Sequence, residues 1–169
     1  KVNDGQEDSN ISTVYIRSFP KDEKHNWTHS FNGNTAKTIF DDQGNSYQVG
    51  SFSTLTNFVD GTSLDANYTP DISYTDAYFI KLNDSGELLW SKIITGVKSQ
   101  QLNSILFSSD GNIIAKGYTD DVATLSNGEQ LGTEDTNTEN EFLVKFDPNS
   151  GDILWNVLTE DLENHDLYS

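Results

Sequence analysis

Acidic and amide side chains in several stretches of the chain have the residue types of a calcium site. Calcium takes about six to eight oxygen ligands from carboxylates, amides and carbonyls. One tight turn carries Asp147, Asn149 and Asp152. Two long loops carry the other candidates, which are Asp60, Asp65, Asp71 and Asp76 in the first loop and Asp120, Asp121, Glu134 and Asp135 in the second. We therefore predict calcium as the one cofactor, with Asx turns as the alternative use of the same side chains.

Residues for nucleophilic or acid–base catalysis form no recognisable pattern. Nucleophilic catalysis needs a base oriented on a nucleophile, and the chain has no Cys and no Gly-x-Ser-x-Gly turn. His25 and His29 would share one face of a strand, but the sequence places no third zinc ligand beside them. Closely spaced carboxylates arise by chance among 27 acidic residues. The sequence therefore predicts a protein that is not an enzyme.

The charge balance excludes several classes of partner. The chain has 27 acidic and 10 basic residues, which gives a net charge of −17. Nucleic acids and anionic membrane surfaces attract basic proteins, so we expect neither as a partner. No apolar run is long enough to cross a bilayer, so we expect no membrane insertion. Because the chain has no Met, we expect residue 1 to be the start of a processed form or of an excised fragment.

Three tryptophans mark an internal repeat of roughly 65 residues. Trp27, Trp90 and Trp155 lie 63 and 65 residues apart. Each follows an apolar stretch that contains one basic residue, and these basic residues are spaced by 64. They are Arg17, Lys81 and Lys145. Such regular spacing of unlike residue types indicates that one structural unit recurs along the chain.

The other half of the repeat also recurs. The stretch FDDQGNSYQVGSF (40–52) matches FSSDGNIIAKGYT (107–119) at an offset of 67. Each copy contains tight turns in which a glycine is expected to supply a positive φ. These turn glycines are Gly44, Gly86, Gly111 and Gly151.

Alternation of apolar and polar residues predicts strands and no helix. The expected strands are 13–18, 27–31, 37–40, 46–52, 76–82, 87–94, 103–108, 112–118, 141–146 and 153–158. We therefore predict an all-β fold in which antiparallel sheets form tandem β-propeller-like blades, about 2.5 repeats in all. This chain alone would not close a ring. The expected domains are a flexible tail at 1–12, the repeat domain at 13–162 and a frayed tail at 163–169.

These repeated residues resemble the SBBP family of β-propeller repeats across roughly residues 13–160. In the first full copy the matching residues are Gly44, Asn45, Tyr47, Gly50, Gly61, Leu64, Asp76, Ala77, Phe79, Lys81, Leu82, Gly86 and Trp90. In the second they are Gly111, Asn112, Gly117, Gly128, Leu131, Phe142, Lys145, Gly151 and Trp155. The resemblance implies blades of secreted or surface proteins of bacteria, and so an extracellular or cell-surface location. It implies no shared activity.

The repeated residues have expected roles in packing. A four-stranded blade is apolar on both faces, so a neighbouring blade has to cover it. We expect the repeated aromatic residues to pack between blades; they are Trp27, Trp90, Trp155, Phe79 and Phe142. The repeated cations Lys81, Lys145 and Arg17 are expected to pair with a buried acid of the neighbouring blade, and a ring of binding side chains around a channel is the alternative.

Three functions follow from this architecture. The first is a non-catalytic extracellular module that binds a surface partner or a polysaccharide through its long loops. The second is a structural subunit that assembles into a ring, filament or surface layer through its strand edges. The third is a fragment of a propeller enzyme. The expected partners are further copies of the chain or the remaining blades of a larger one, and a carbohydrate or surface protein.

Overall fold

The computed structural model describes the backbone of residues 12–14, 29–31, 33–53, 56–57, 63–64, 74–133 and 139–160, and the side chains of residues 33–53, 74–133 and 139–160. In these ranges the named elements are all strands. They are β1 (Ser12–Val14), β2 (His29–Phe31), β3 (Gly33–Phe40), β4 (Ser46–Phe52), β5 (Thr56–Asn57), β6 (Ser63–Leu64), β7 (Asp76–Leu82), β8 (Leu88–Ile94), β9 (Gln100–Phe107), β10 (Ile113–Thr119), β11 (Ala123–Thr124), β12 (Gln130–Leu131), β13 (Asn140–Phe146) and β14 (Ile153–Leu158). After β14, residues 159 and 160 enter a helical turn.

Two four-stranded antiparallel sheets form the body of the described structure. The first blade contains β3, β4, β7 and β8, and the second contains β9, β10, β13 and β14, each in chain order across the sheet. Consecutive strands therefore pair with each other, because short turns or an excursion into a loop return the chain to the neighbouring position. This arrangement confirms the predicted all-β fold of antiparallel, blade-like sheets.

The two blades repeat in detail. A two-stranded hairpin leaves each blade between its second and third strands, β5 with β6 and β11 with β12, and the hairpins are offset by 67 residues. A register irregularity also recurs between the first two strands of each blade, and another between the last two. The repeat spacing in the sequence therefore corresponds to equivalent backbone positions, down to the irregularities.

One hydrophobic core lies between the blades. In the first blade, Tyr47 is paired with Lys81 and Lys81 with Trp90, so these side chains share one face. We call this the forward face, and the corresponding face of the second blade carries Lys145 and Trp155. The opposite side of each blade is its rear face. The forward face of the first blade packs against the rear face of the second, where the rings of Phe79 and Phe146 lie 4.5 Å apart.

The rear face of the first blade is buried as well. Phe52, Tyr78, Ile80 and Leu82 form a second cluster, and each has an exposed fraction of 1% or less. The backbone of β1 lies beside β3, at the first strand of this blade. Both faces of the first blade are therefore covered, as the sequence predicts for a blade with neighbours on either side.

The strand boundaries differ from the predicted ones mainly at β3 and β9. Both strands begin several residues before the predicted positions 37 and 103, because each contains a β-bulge that interrupts its alternation of apolar and polar residues. The hairpins β5–β6 and β11–β12 were not expected, since two-residue strands leave no periodic signal. Of the predicted tails, the structure describes only Ser12.

No helix in the described part of the chain has the length and apolar content required to span a membrane.

Candidate interaction surfaces

The strand order divides the connections of both blades between two rims. Four tight turns lie on one side, at 41–45, 83–87, 108–112 and 147–152. We call this side the turn rim. The opposite side, the loop rim, carries the long loops 53–75 and 120–139 and the connection between the blades at 95–99. Each rim therefore combines equivalent segments from both blades.

The acids and amides of the turn rim form Asx turns. Asp41 Oδ1 accepts the backbone N–H groups of Gln43 and Asn45 at 3.0 and 2.9 Å. Asn83 accepts the N–H groups of Ser85 and Glu87 in the same manner, each at 2.9 Å. Burial alone would raise the pKa of Asp41, but hydrogen bonds from Asn45, Gln43 and Tyr47 lower it below its ordinary value. These side chains therefore stabilise the turns themselves.

The four predicted turn glycines all have left-handed backbone geometry. Their φ angles are 84° at Gly44, 82° at Gly86, 82° at Gly111 and 69° at Gly151. In each turn the glycine N–H donates to the carbonyl oxygen of the residue that opens the turn. A side chain at these positions would strain the backbone, because only glycine adopts a positive φ without steric cost.

The predicted calcium turn also has this Asx geometry. Asp147 Oδ1 accepts the N–H groups of Asn149 and Ser150 at 2.7 and 3.1 Å. Asp152 Oδ1 instead lies 3.2 Å from Lys92 Nζ of the first blade. Hydrogen bonds from Ser150 and from Lys92 lower the pKa of Asp152. The carboxylates of this turn thus face its own amides and a lysine, an arrangement that does not fit a calcium ion.

The predicted calcium loop lies largely outside the described residues. This applies to Asp60, Asp65 and Asp71, as well as to Glu134 and Asp135 of the second loop. Asp76 is described, and it is buried at the start of β7, opposite Phe52 of β4. Within the described ranges no group of three or more acidic or histidine side chains is arranged to hold a metal ion. Of the histidines, only the backbone of His29 is described.

Lys81 connects the two blades at the turn rim. Its Nζ donates to the carbonyl oxygen of Pro148, in the last turn of the second blade, at 3.0 Å. The same ammonium group lies 4.9 Å from the ring centroid of Tyr47. Only 7% of Lys81 is exposed. The neighbouring blade therefore supplies a carbonyl oxygen to this cation, where the sequence analysis expected a carboxylate.

Tyr47 takes part in the same connection. Its hydroxyl group lies 3.2 Å from Asp41 Oδ2 and 3.3 Å from the Pro148 carbonyl oxygen, and it can donate to either. Burial and the charge of Asp41 raise the pKa of Tyr47, so the phenol keeps its proton at neutral pH. Arg17, the third predicted cation of the repeat, lies outside the described residues.

Lys145 is the counterpart of Lys81 in the second blade, and its partner is different. Its Nζ forms an ion pair with Asp110, in the first turn of the same blade. This bond, together with hydrogen bonds from Ser108 and Asn112, holds the pKa of Asp110 well below its usual range. The repeated cation thus bonds across the blade interface in the first blade and within its own blade in the second.

The two described tryptophans also differ in their surroundings. Trp90 packs against the core, with its ring 4.7 Å from that of Phe79. Gly151 of the second blade lies so close that a Cβ atom there would be 2.8 Å from the Trp90 ring. Trp155, at the equivalent position, is 38% exposed. Phe142 is fully buried on the rear face of its blade, and Trp27 lies outside the described residues.

A buried polar network at the loop rim was not predicted from the sequence. Asp121 accepts the backbone N–H groups of Val97 and Lys98 at 2.9 and 3.1 Å and the side-chain amide of Gln100 at 2.8 Å. Asp121 and Gln100 are both buried. The network fixes the connection between the blades against the second loop. The repeat gave no signal for it, because the positions 67 residues earlier hold Thr54 and Gly33.

The second loop is also bonded to the first blade. Thr95, at the end of β8, and Thr124 of β11 exchange two backbone hydrogen bonds of 3.0 and 2.7 Å. Ala123, Leu125 and Leu131 of this loop are buried in the core between the blades. This part of the loop rim is therefore built into the fold.

Aromatic and acidic side chains meet the solvent at the loop rim. Tyr74 precedes β7 and is 39% exposed. Tyr118, near the end of β10, is partly exposed, and burial together with the charges of Glu139 and Asp120 raises its pKa. The rim thus offers flat rings beside carboxylates, a combination that suits stacking and hydrogen bonding to a ligand.

Comparison with known proteins agrees with a propeller-like repeat. No protein-family model matches the chain. Over 87 residues, 49% of its length, the chain is 37% identical to an uncharacterized WD repeat-containing protein of Acanthamoeba polyphaga mimivirus. The match covers 6% of that protein, so the chain spans a small part of its relative. WD repeats are blades of β-propellers, and this likeness supports a β-propeller-like repeat; the narrower SBBP assignment and a bacterial source stay predictions.

Proposed function

We propose that the chain is a non-catalytic extracellular module that binds a polysaccharide or a surface protein through its loop rim. The observation that carries this proposal is the pair of long loops, which leave the two blades at equivalent positions and on the same side. Loops of this length between regular strands are usually functional. A scaffold of paired strands with ligand-binding loops at one end is a common way to build a binding surface.

The chemistry of the rim favours a carbohydrate among these partners. Tyr74 and Tyr118 offer faces on which sugar rings stack, and Asp120 and Glu139 offer hydrogen-bond acceptors for hydroxyl groups. With a net charge of −17 the chain repels anionic polymers, so a neutral or cationic polysaccharide is the better match.

Retention on insoluble polysaccharides tests the proposal. Cellulose, chitin and xylan are the probes, and we expect the intact chain to be retained on at least one of them. Tyr74→Ala combined with Tyr118→Ala removes both rings of the loop rim and should weaken retention by about tenfold or more, since a lost stacking ring costs roughly 1–2 kcal/mol. Phe40→Ala is the matched control, because Phe40 is an equally exposed ring at the turn rim. Absence of retention, or equal loss in the control, contradicts the proposal.

Self-assembly through strand edges is the second candidate. Among the described strands, β14 pairs only with β13, so the other side of β14 presents backbone groups that another strand could bond. Light scattering after size-exclusion chromatography tests this candidate. Rings or filaments would support it, and a stable monomer across the accessible concentrations would contradict it.

Calcium stabilisation stays a proposal for the first long loop. Its candidate ligands Asp60, Asp65 and Asp71 are separate from the turn at 147–152, whose carboxylates face amides and a lysine. Calorimetric melting with calcium, and then with a chelator, measures the effect. A ligand that binds only the folded state raises the melting temperature, so an unchanged value would exclude a calcium site.

A further inference from the structure

The forward face of the second blade repeats a face that is an interface in the first blade. By strand register, Ile114 corresponds to Tyr47, and Lys145 corresponds to Lys81. Trp155 corresponds to Trp90, since each is paired with the lysine of its blade. In the first blade these positions lie against the second blade and form part of the core.

Two contacts define how the first blade holds its neighbour. The turn at 147–152 places Gly151 on the ring of Trp90, where a Cβ atom would be too close. The same turn presents the Pro148 carbonyl oxygen to Lys81 Nζ at 3.0 Å. One turn of the following blade thus supplies both a side-chain-free surface for the indole ring and an acceptor for the ammonium group.

In the second blade the corresponding groups have no such neighbour among the described residues. Leu106 and Trp155 are 52% and 38% exposed, although both belong to the forward face. Lys145 Nζ is held by Asp110 of its own blade. An ammonium group has three N–H donors, so Lys145 retains the capacity to bond a carbonyl oxygen as Lys81 does.

A second copy of the chain does not offer the surface that this face requires. The matching surface is the rear face of a blade, and both described rear faces are already buried. That of the first blade contains Tyr78 and Ile80, which are fully buried. That of the second contains Phe142 and Val144, which lie in the core between the blades. The occupant is therefore an additional blade.

We infer that the forward face of the second blade docks a further blade of the same repeat, continuing in the same polypeptide and stacked face to face. Its turn glycine would lie on Trp155, and a carbonyl oxygen of that turn would accept a bond from Lys145. Continuity with the existing interface carries this inference, and it is independent of the ligand that the loop rim binds. It differs from edge pairing of β14, because the contact uses side chains of a sheet face.

The far half of this face sets a condition on the docked blade. At the positions of Val49 and Ala77 in the first blade, the second blade has Lys116 and Glu141, whose side chains form an ion pair of 2.8 Å. The apolar contact is thus concentrated near the turn rim, around Trp155 and Leu106. The docked blade would meet a polar surface toward the loop rim.

The experiment extends the chain by one blade. Residues 1–159 are followed by a second copy of residues 95–160, so that the spacing between blades is kept. The added copy carries Trp155→Phe and Lys145→Arg, and the signals of Trp155 and Lys145 then come from the original blade alone. Hydroxyl-radical footprinting and lysine acetylation, both read by mass spectrometry, report their accessibility.

We expect the oxidation of Trp155 to fall to the level of Trp90 and the acetylation of Lys145 to decrease in the extended chain. Gly151→Arg in the added copy places a large side chain where the indole ring has to lie and should restore the reactivity of Trp155. Circular dichroism shows whether the added copy forms strands. An added copy that stays unfolded, or one that folds and leaves Trp155 as reactive as before, overturns the inference. So does a dimer of the original chain that protects Trp155, because the occupant is then a second copy.

Discussion

Equivalent residues in the two blades form different contacts, and the difference comes from what lies next to each blade. Lys81 and Lys145 have the same place in the strand register, yet one bonds a carbonyl oxygen of the following blade and the other an acid of its own. Trp90 and Trp155 differ in the same way, since one is covered by a turn and the other is exposed. A repeated residue thus records the interface for which it is suited, even where that interface is absent.

Gly151 has two reasons to be a glycine, and Gly111 has one. Both have a positive φ, but a Cβ atom at Gly151 would also press on Trp90, whereas nothing lies within 4 Å of one at Gly111. Gly111→Ala should cost about 1–2 kcal/mol of unfolding free energy through backbone strain. Gly151→Ala should cost about 1–3 kcal/mol more because the interface is overpacked. Chemical denaturation measures both values, and equal losses would show that the contact with Trp90 carries no weight.

Lys81 is expected to contribute to stability through its bond to the second blade. Lys81→Met keeps the length of the side chain and removes the ammonium group, so the Pro148 carbonyl oxygen loses its charged donor. We expect a loss of about 1.5 kcal/mol of unfolding free energy. The matched control is Lys116→Met, which breaks an exposed ion pair with Glu141 and should cost less than about 1 kcal/mol. If the two variants unfold at the same denaturant concentration, the bond between the blades is not stabilising.

At the scale of elements, the sequence predicted what recurs. Strand alternation and the spacing of Trp90 and Trp155 were sufficient for the sheets, because a buried strand has to repeat its apolar face. The positive φ expected at the turn glycines follows from turn chemistry, and the observed angles have that sign. The network around Asp121 left no trace in the repeat, since it fixes a connection that occurs once. The acids of the turn at 147–152 were ambiguous in sequence, because Asx turns and calcium sites use the same residue types.

The turns of the turn rim make stability depend on acid. The folded pKa of Asp41 is lowered, so its ionised form stabilises the fold above the unfolded value of about 3.9, and this contribution is lost as the pH falls through the folded pKa. Asp41→Asn should therefore be less stable than the wild-type chain at pH 7, and the difference should shrink below about pH 4. Asp42→Asn removes the same charge at the next position. Thermal melts across this pH range measure both, and a constant difference for Asp41→Asn would contradict the assignment.

At the scale of the molecule, the two blades share one core. The cluster that contains Phe79 and Val49 of the first blade also contains Phe142 and Phe146 of the second. In stacked repeats, stability is the sum of the stability of each unit and the contact between neighbours. A core built mainly at the contact makes the second term large, so the blades are expected to unfold together.

Native-state hydrogen exchange tests this coupling. The slowest amides of β4 and β7 should open with the same free energy as those of β10 and β13, because the separation of the blades exposes the core of both. Phe79→Ala removes a ring that lies against Phe146 and should lower the opening free energy in both blades by about 3–5 kcal/mol. Leu89→Ala, at an exposed position of β8, is the control and should lower it in neither. Loss of protection in the first blade alone would mean that each blade is stable by itself, and the shared core would then explain neither their stacking nor the docking of a further blade.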